Sequence, residues 1–285
     1  MTVSLDTGSV DPKARRCGAR SCCRLAALAA PVLVPWAMLA IVAAPLPAAA
    51  DDHFNLEEGL PVSTEDAYAI EYGGQELQGV FSYERSRDGK NLFTAEPRLA
   101  LGVFPGFQAT PRVSYSLGNG EGRDSGSVGL DGLYQLNQQT ELMPVFAVSG
   151  SLDAPYGYAN SSPETGLKLI AAKSLGDEKE GRDIHLNLGW VHNYGPTEEE
   201  RADRFNAGIA YAQPLTEELI GVVDIVREEE LERNRAVNLF EFGARYRVAE
   251  NLAVAAGVGI GFGPDSPGVR VTIGFQRALD LFGSR

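Results

Sequence analysis

Phe107-Gln108-Ala109-Thr110-Pro111-Arg112-Val113-Ser114-Tyr115-Ser116-Leu117 alternates throughout: Ala109, Pro111, Val113, Tyr115 and Leu117 fall on one side of an extended chain, and Gln108, Thr110, Arg112, Ser114 and Ser116 on the other. Successive side chains of a strand point to opposite faces, so this run is a strand with one apolar and one polar face. The stretch near the C-terminus repeats the pattern, with Val269, Val271, Ile273 and Phe275 against Arg270, Thr272, Gly274 and Gln276.

From Gln75 onward the chain keeps this period in segments of about ten residues, separated by Gly, Pro, Asn and acidic stretches. Strands are expected near 75–84, 91–102, 107–117, 126–136, 140–152, 164–175, 183–192, 203–213, 218–228, 236–247, 251–262 and 268–277. Twelve is even, so both ends leave from the same side. The connections alternate between a short set, including Phe104-Pro105-Gly106, Asn137-Gln138-Gln139 and Ala249-Glu250, and a longer set, including 118–125, 153–163 and 193–202. Short turns on one side and longer loops on the other is the plan of an outer-membrane barrel. Pro97, Pro111 and Pro144 fall inside expected strands, where each removes a ladder donor, so they mark bulges or weak pairing.

A soluble sandwich also alternates; the heights of the aromatic residues separate the two. Tyr83, Phe93, Tyr115, Trp190, Phe205 and Phe262 lie toward the long-loop ends of the apolar faces, and Phe107, Tyr134, Tyr211, Tyr246 and Phe275 toward the short-turn ends. Amphipathic rings favour the headgroup level of a bilayer, and a tilted strand of about ten residues spans its apolar core. The expected fold is therefore all-β, a closed antiparallel transmembrane β-barrel of about 12 strands over residues 75–285. It would sit among outer-membrane lipid in a bacterial outer membrane, inserted by the barrel-assembly machinery.

The first fifty residues read differently. A basic stretch through Arg15, Arg16, Arg20 and Arg24 leads into an apolar run from Leu25 to Ala44, then Ala48-Ala49-Ala50 before Asp51-Asp52. That order is a secretory leader over 1–50 with an A-x-A cleavage site; the alternative is a retained anchor, disfavoured by Pro31 and Pro35 within the run. Residues 51–74 form a periplasmic or luminal segment. Cys17, Cys22 and Cys23 all precede the apolar run, which excludes disulfides and cysteine-ligated metals from the mature chain. The formal charge is −13, and losing five bases and two acids with the leader makes it −16, which repels nucleic acid.

The polar faces carry Glu96, Arg98, Arg112, Asp131, Lys168, Asp224, Glu241, Arg245, Arg247 and Arg270, the candidate lumen lining, together with Glu84 and His185. These twelve hold five acids and six bases, so no sign dominates the wall. They could line a water-filled solute path or pair into a network that fills the barrel. Small inward residues, among them Ala100, Gly129, Gly208, Ala210, Gly243, Ala253, Ala255, Gly257 and Gly259, argue for open volume. No catalytic set, cofactor site or metal site is expected. His192, beside Asn193 near the outer rim, is the one candidate base for a rim hydrolase, and no nucleophile motif accompanies it. The remaining alternative is a structural or adhesive barrel acting through its loops.

Several phrases carry a family resemblance: Glu65-Asp66-Ala67-Tyr68, Gly73-Gly74-Gln75-Glu76-Leu77, Tyr83-Glu84-Arg85, Leu167-Lys168-Leu169, His185-Leu186-Asn187 with Trp190 and His192-Asn193, and Val271-Thr272-Ile273-Gly274-Phe275. In these the mature chain resembles the outer-membrane transporters grouped with proteins of meta-pathway phenol-degradation operons. The resemblance implies a barrel for uptake of small aromatic or hydrophobic solutes. One departure is the tail of residues after Phe275, where such barrels end on an aromatic; either Phe275 or Phe282 fills that role.

Overall fold

The computed structural model describes residues 55–158, 162–176 and 181–279. The leader, the acidic run at 177–178 and the tail holding Phe282 lie outside them. Among the described residues there is no helix, and the strands in chain order are β1 (Gln75–Arg85), β2 (Asn91–Phe104), β3 (Phe107–Val113), β4 (Tyr115–Gly118), β5 (Ser125–Gln135), β6 (Val145–Gly157), β7 (Glu164–Leu175), β8 (Arg182–Asn193), β9 (Asp203–Pro214), β10 (Leu219–Glu229), β11 (Ala236–Ala249), β12 (Leu252–Gly261) and β13 (Val269–Ala278).

Apart from β3 and β4, which do not pair with each other, consecutive strands pair antiparallel, and β1 pairs both with β2 and with β13, from Glu76↔Ala278 to Arg85↔Val269. The sheet is closed. β3 and β4 are two parts of one stave: both lie between β2 and β5, and Arg98↔Arg112 and Ala95↔Tyr115 keep one register, so twelve staves make the barrel. The interruption at Ser114 lies across from Glu96, next to Pro97, which has no N–H to donate, while Ser114 N–H still bonds the Ser127 carbonyl at 2.8 Å. Pro144 is not inside a strand as expected. Residues 136–144 form a turn in which Asn137 accepts the Phe146 N–H at 2.8 Å and donates to the Pro144 carbonyl at 2.9 Å, so β6 starts one residue after the proline and loses no ladder bond.

The outer wall carries Phe93, Tyr115, Trp190, Phe205 and Tyr246 exposed, with Leu130, Leu152, Leu169, Leu188, Ile209, Ile225 and Ile273 between the belts. Register confirms the heights: Tyr83 faces Phe93 with ring centroids 4.8 Å apart, Trp190 faces Phe205, and Phe107 faces Tyr134. Two aromatic levels around an aliphatic band fit a bilayer. Phe275 departs from the expectation: it shares the outward face with Ile273 but is only 8% exposed, its ring lying over its cross-strand partner Gly79. It acts as packing across the closure seam and not as an interface ring.

Residues 55–74 run inside the barrel. The segment leaves β1 at the short-turn end, where Gly73 N–H bonds the Gly102 carbonyl at 2.8 Å and Gly102 N–H bonds the Gly74 carbonyl at 2.9 Å. Ala67 then packs with Leu133, Val145, Ala147 and Ile170, Leu56 and Val62 with Ala210, Ala212, Ile220 and Val222, and Leu60 with Val80 and Ala255. Burying Leu56, Leu60 and Val62 stabilises the docked segment by roughly 1.5–3 kcal/mol each. The small inward residues do not leave open volume there. A methyl on Gly243 would lie 2.8 Å from Pro61 Cβ, one on Gly208 2.7 Å from Thr64 Oγ1, and Gly257 sits against the Pro61 carbonyl. The glycines make room for a second layer of chain.

A Cβ at residue 102 would overlap the Glu71 carbonyl oxygen. Gly102→Ala is expected to push the return of the segment off the wall and to lower stability by about 1–3 kcal/mol. Urea unfolding of the refolded barrel measures this, and Gly150→Ala, where a Cβ would have its nearest neighbour, the Gly166 carbonyl oxygen, 3.8 Å away, is the comparison.

Candidate functional site

Inward positions of β2 to β9 form one charged wall. Arg98 Nε bonds Glu96 at 2.6 Å; Arg112 bonds Asp131 at 2.7 Å through Nε and Asp153 at 2.6 Å through Nη2, with Glu96 3.9 Å away. Arg204 pairs with Glu164 across β9 and β7. Antiparallel register explains the grouping: Asp131 stands opposite Ser151 and Gly129 opposite Asp153, so carboxylates of β5 and β6 flank the Arg112 guanidinium from two heights.

The luminal segment completes this wall. Lys168 Nζ holds two of its carboxylates, Glu58 at 2.7 Å and Glu65 at 2.8 Å, and Arg98 Nη1 donates to the Glu58 carbonyl at 2.8 Å. Between segment and wall lies a cavity of about 260 Å³, lined by Glu57, Glu58, Glu65, Glu96, Arg98, Arg112, Asp131, Asp153, Glu164, Lys168 and Arg204 among others. Five expected lumen residues, Glu96, Arg98, Arg112, Asp131 and Lys168, meet here.

Asp224, Glu241 and Arg270 form a second group on the far wall. Asp224 and Glu241 are direct cross-strand partners and nearly inaccessible. Like charges at that spacing repel, and the segment answers with backbone and hydroxyl donors: Thr64 N–H and Oγ1–H reach Asp224 at 3.1 and 3.0 Å, and Ser63 N–H reaches Glu241 at 2.9 Å. Arg270 bonds Glu84 at 2.7 Å and donates to Ser63 Oγ at 3.2 Å. Asn187 brackets Glu65, accepting its N–H at 3.0 Å and donating to its carbonyl at 2.8 Å. Gln108 accepts the Ile70 N–H at 3.0 Å. Arg245, 1% exposed, bonds the Asn55 carbonyl and anchors the start of the segment. Arg247 does not line the lumen centre. It lies beside the bulge near Ala249 and donates to the Glu217 carbonyl at 3.3 Å, a partner on the short-turn rim.

Within the segment, Asp66 accepts the Leu56 and Tyr68 N–H groups at 2.7 and 2.9 Å, stapling the loop to itself. Burial pushes the Asp66 carboxyl well above the usual range, and burial together with nearby Glu65 lifts Glu57 to about 7.

Sequence reasoning missed Glu57, Glu58, Glu65, Asp153, Glu164 and Arg204. The last three sit on inward parity near the long-loop ends of their strands, and Asp153 lies one residue past the expected end of its strand, so a longer strand would have included it. His192 faces outward. Its Nδ1 lies 3.0 Å from Asp203 Oδ1, an atom that also accepts Trp190 Nε1–H at 3.0 Å, and its ring stands edge-on to Tyr194. Asn193 points inward and bonds Gly195 N–H, so it does not orient the imidazole.

No family model matches the chain, and no curated protein matches it. Among solved structures, an outer-membrane channel from Pseudomonas putida F1 is similar with a TM-score of 0.58 at 12% identity, over 79% of this chain and 100% of that one. The KdgM porin in complex with disordered oligogalacturonate gives 0.53 at 8% identity, over 71% and 98%, and the NanC porin 0.51 at 7% identity, over 71% and 98%. These likenesses establish the fold: an outer-membrane barrel.

Lys168→Met leaves two segment carboxylates without their cation. Because Glu58 is half exposed, the expected loss is about 1–3 kcal/mol, below that of a fully buried pair. Amide exchange at Ser63, Thr64 and Glu65 should accelerate at least roughly tenfold, while β10 and β11 stay protected. Because Glu57 binds its proton more tightly when docked, docking should strengthen as pH falls from about 7 toward the ordinary value of 4.5, and level off at its weaker value above about 7. Protease cleavage within 55–74 across that range tests this, and Glu57→Gln should lessen the dependence, leaving the part that Asp66 contributes.

Proposed function

We propose that the protein is an outer-membrane channel for small solutes, closed in this state by its own N-terminal segment. The carrying observation is a polar cavity of about 260 Å³ inside a sealed barrel, bounded by a segment that only non-covalent contacts hold. Its volume is near the lower end of the ~300–1,000 Å³ typical of small-molecule sites, which suits a compact solute. A wall of formal charges inside a barrel is expensive to desolvate, and a filled structural lumen would be more stable with apolar residues in its place. Retaining the charges around a void supports a path for solute and water. The family resemblance adds that the solute is small and aromatic or hydrophobic in body; the charged lining adds that it carries a polar or ionised group.

Passage requires the segment to shift, because it crosses the lumen between Gly208 on one side and Gly274 on another. The mature chain has no native cysteine, so Thr64→Cys with Gly208→Cys can lock it: Thr64 Oγ1 lies 2.7 Å from the Cβ position of residue 208. In planar bilayers the reduced double variant should conduct and the oxidised one should fall silent. Equal conductance in both states would sink the gating role of the segment, and silence of both states and of the unmodified barrel would sink the channel.

A further inference from the structure

The wall by itself is balanced in sign, and the segment tips it. Around the cavity stand seven carboxylates against four bases, and three of the carboxylates, Glu57, Glu58 and Glu65, belong to the segment. The bases are occupied: Lys168 by two carboxylates, Arg112 by two with a third nearby, Arg98 by Glu96 and Arg204 by Glu164. Each of the four is already paired with at least one carboxylate. The buried lining atoms without a hydrogen-bond partner, Asp153 Oδ1 and Arg204 Nε, are one of each sign, so the excess of carboxylates is what sets the sign. An independent feature repeats the sign: a second cavity of about 530 Å³ at the long-loop end carries five carboxylates against three bases. Arg235 there is already bound by Glu121 at 3.1 Å and Glu232 at 2.6 Å.

We infer that the vestibule selects small solutes bearing positive charge, such as organic amines, and that the docked segment is what confers this selectivity. The inference rests on the channel reading and names its substrate class. Low-dielectric walls of one sign focus the potential and concentrate counter-ions by roughly tenfold or more. A solute ammonium can share the carboxylates that already crowd Lys168 and Arg112, whereas a carboxylate solute would have to displace one of them.

The absence of cysteine after residue 50 allows a direct test that does not need conduction. Ser151→Cys places a thiol on the cavity lining, and Gln138→Cys places one on an exposed turn. Each is treated at low salt and mildly alkaline pH with trimethylammonioethyl or sulfonatoethyl methanethiosulfonate. The thiolate attacks the reagent's sulfenyl sulfur, a disulfide forms and methanesulfinate leaves. Relative to Gln138→Cys, the cationic reagent should modify Ser151→Cys roughly tenfold faster than the anionic one. Adding Glu57→Gln, Glu58→Gln and Glu65→Gln should bring that ratio close to the control. A ratio equal to the control or inverted overturns the inference and leaves the channel reading intact. Failure of both reagents on folded protein, with full modification after denaturation, overturns the accessible vestibule and with it the channel reading. Ser149→Cys, on the same lining, serves if the Ser151 variant does not fold.

Discussion

A strand at bilayer depth has no water to satisfy its N–H and C=O groups, and each one left open costs several kcal/mol. The seam from Glu76↔Ala278 to Arg85↔Val269 meets that constraint, and everything inside the barrel follows from it. Once the sheet closes, alternate side chains of every stave have only the lumen to enter. Leucines, isoleucines and aromatic rings can face lipid, so the charged and small residues are committed to the inside.

That interior is itself a problem of the same kind. Asp224 and Glu241 stand side by side, nearly inaccessible, and the side chains of Lys168 and Arg112 are less than a fifth exposed. The wall satisfies Arg112 from neighbouring staves through Asp131 and Asp153. It does not satisfy Asp224 and Glu241 in the same way, because Arg270, 3.7 Å from Glu241, is shared with Glu84. Backbone N–H groups of Ser63 and Thr64 supply the missing donors, and Glu58 and Glu65 supply the missing anions for Lys168. The segment is the electrostatic complement of the wall as well as its apolar filling. Held by charge-assisted bonds and three buried aliphatic side chains, it is secure in place without being covalently tied, which is the property a gate needs.

The strand period, the even count and the two aromatic heights were legible because they are properties of one chain in isolation: side-chain parity follows from extended backbone geometry, and ring placement follows from lipid. Most inward charges were legible for the same reason. Phe275 was misplaced because parity says which side a ring faces but not whether it will fold down onto a glycine of the next stave. Pro144 was misplaced because the turn that excludes it depends on Asn137, several residues away. Arg247 has the right parity, yet a bulge at the rim takes it out of the lumen centre.

By itself the sequence determined a closed antiparallel barrel, its orientation of apolar and polar faces, and the list of wall charges, since these depend on periodicity and on the solvent outside. Only the tertiary structure decided which charges meet, that the glycines of β9, β11 and β12 receive Thr64 and Pro61, and that three further carboxylates enter the lumen. Residues 55–74 lack a regular period, and their place is set by partners more than a hundred positions away, as Thr64 is by Asp224. The sign of the lumen is therefore a property of the assembled barrel and segment, because it is the sum over groups that only closure and docking bring within a Debye length of each other.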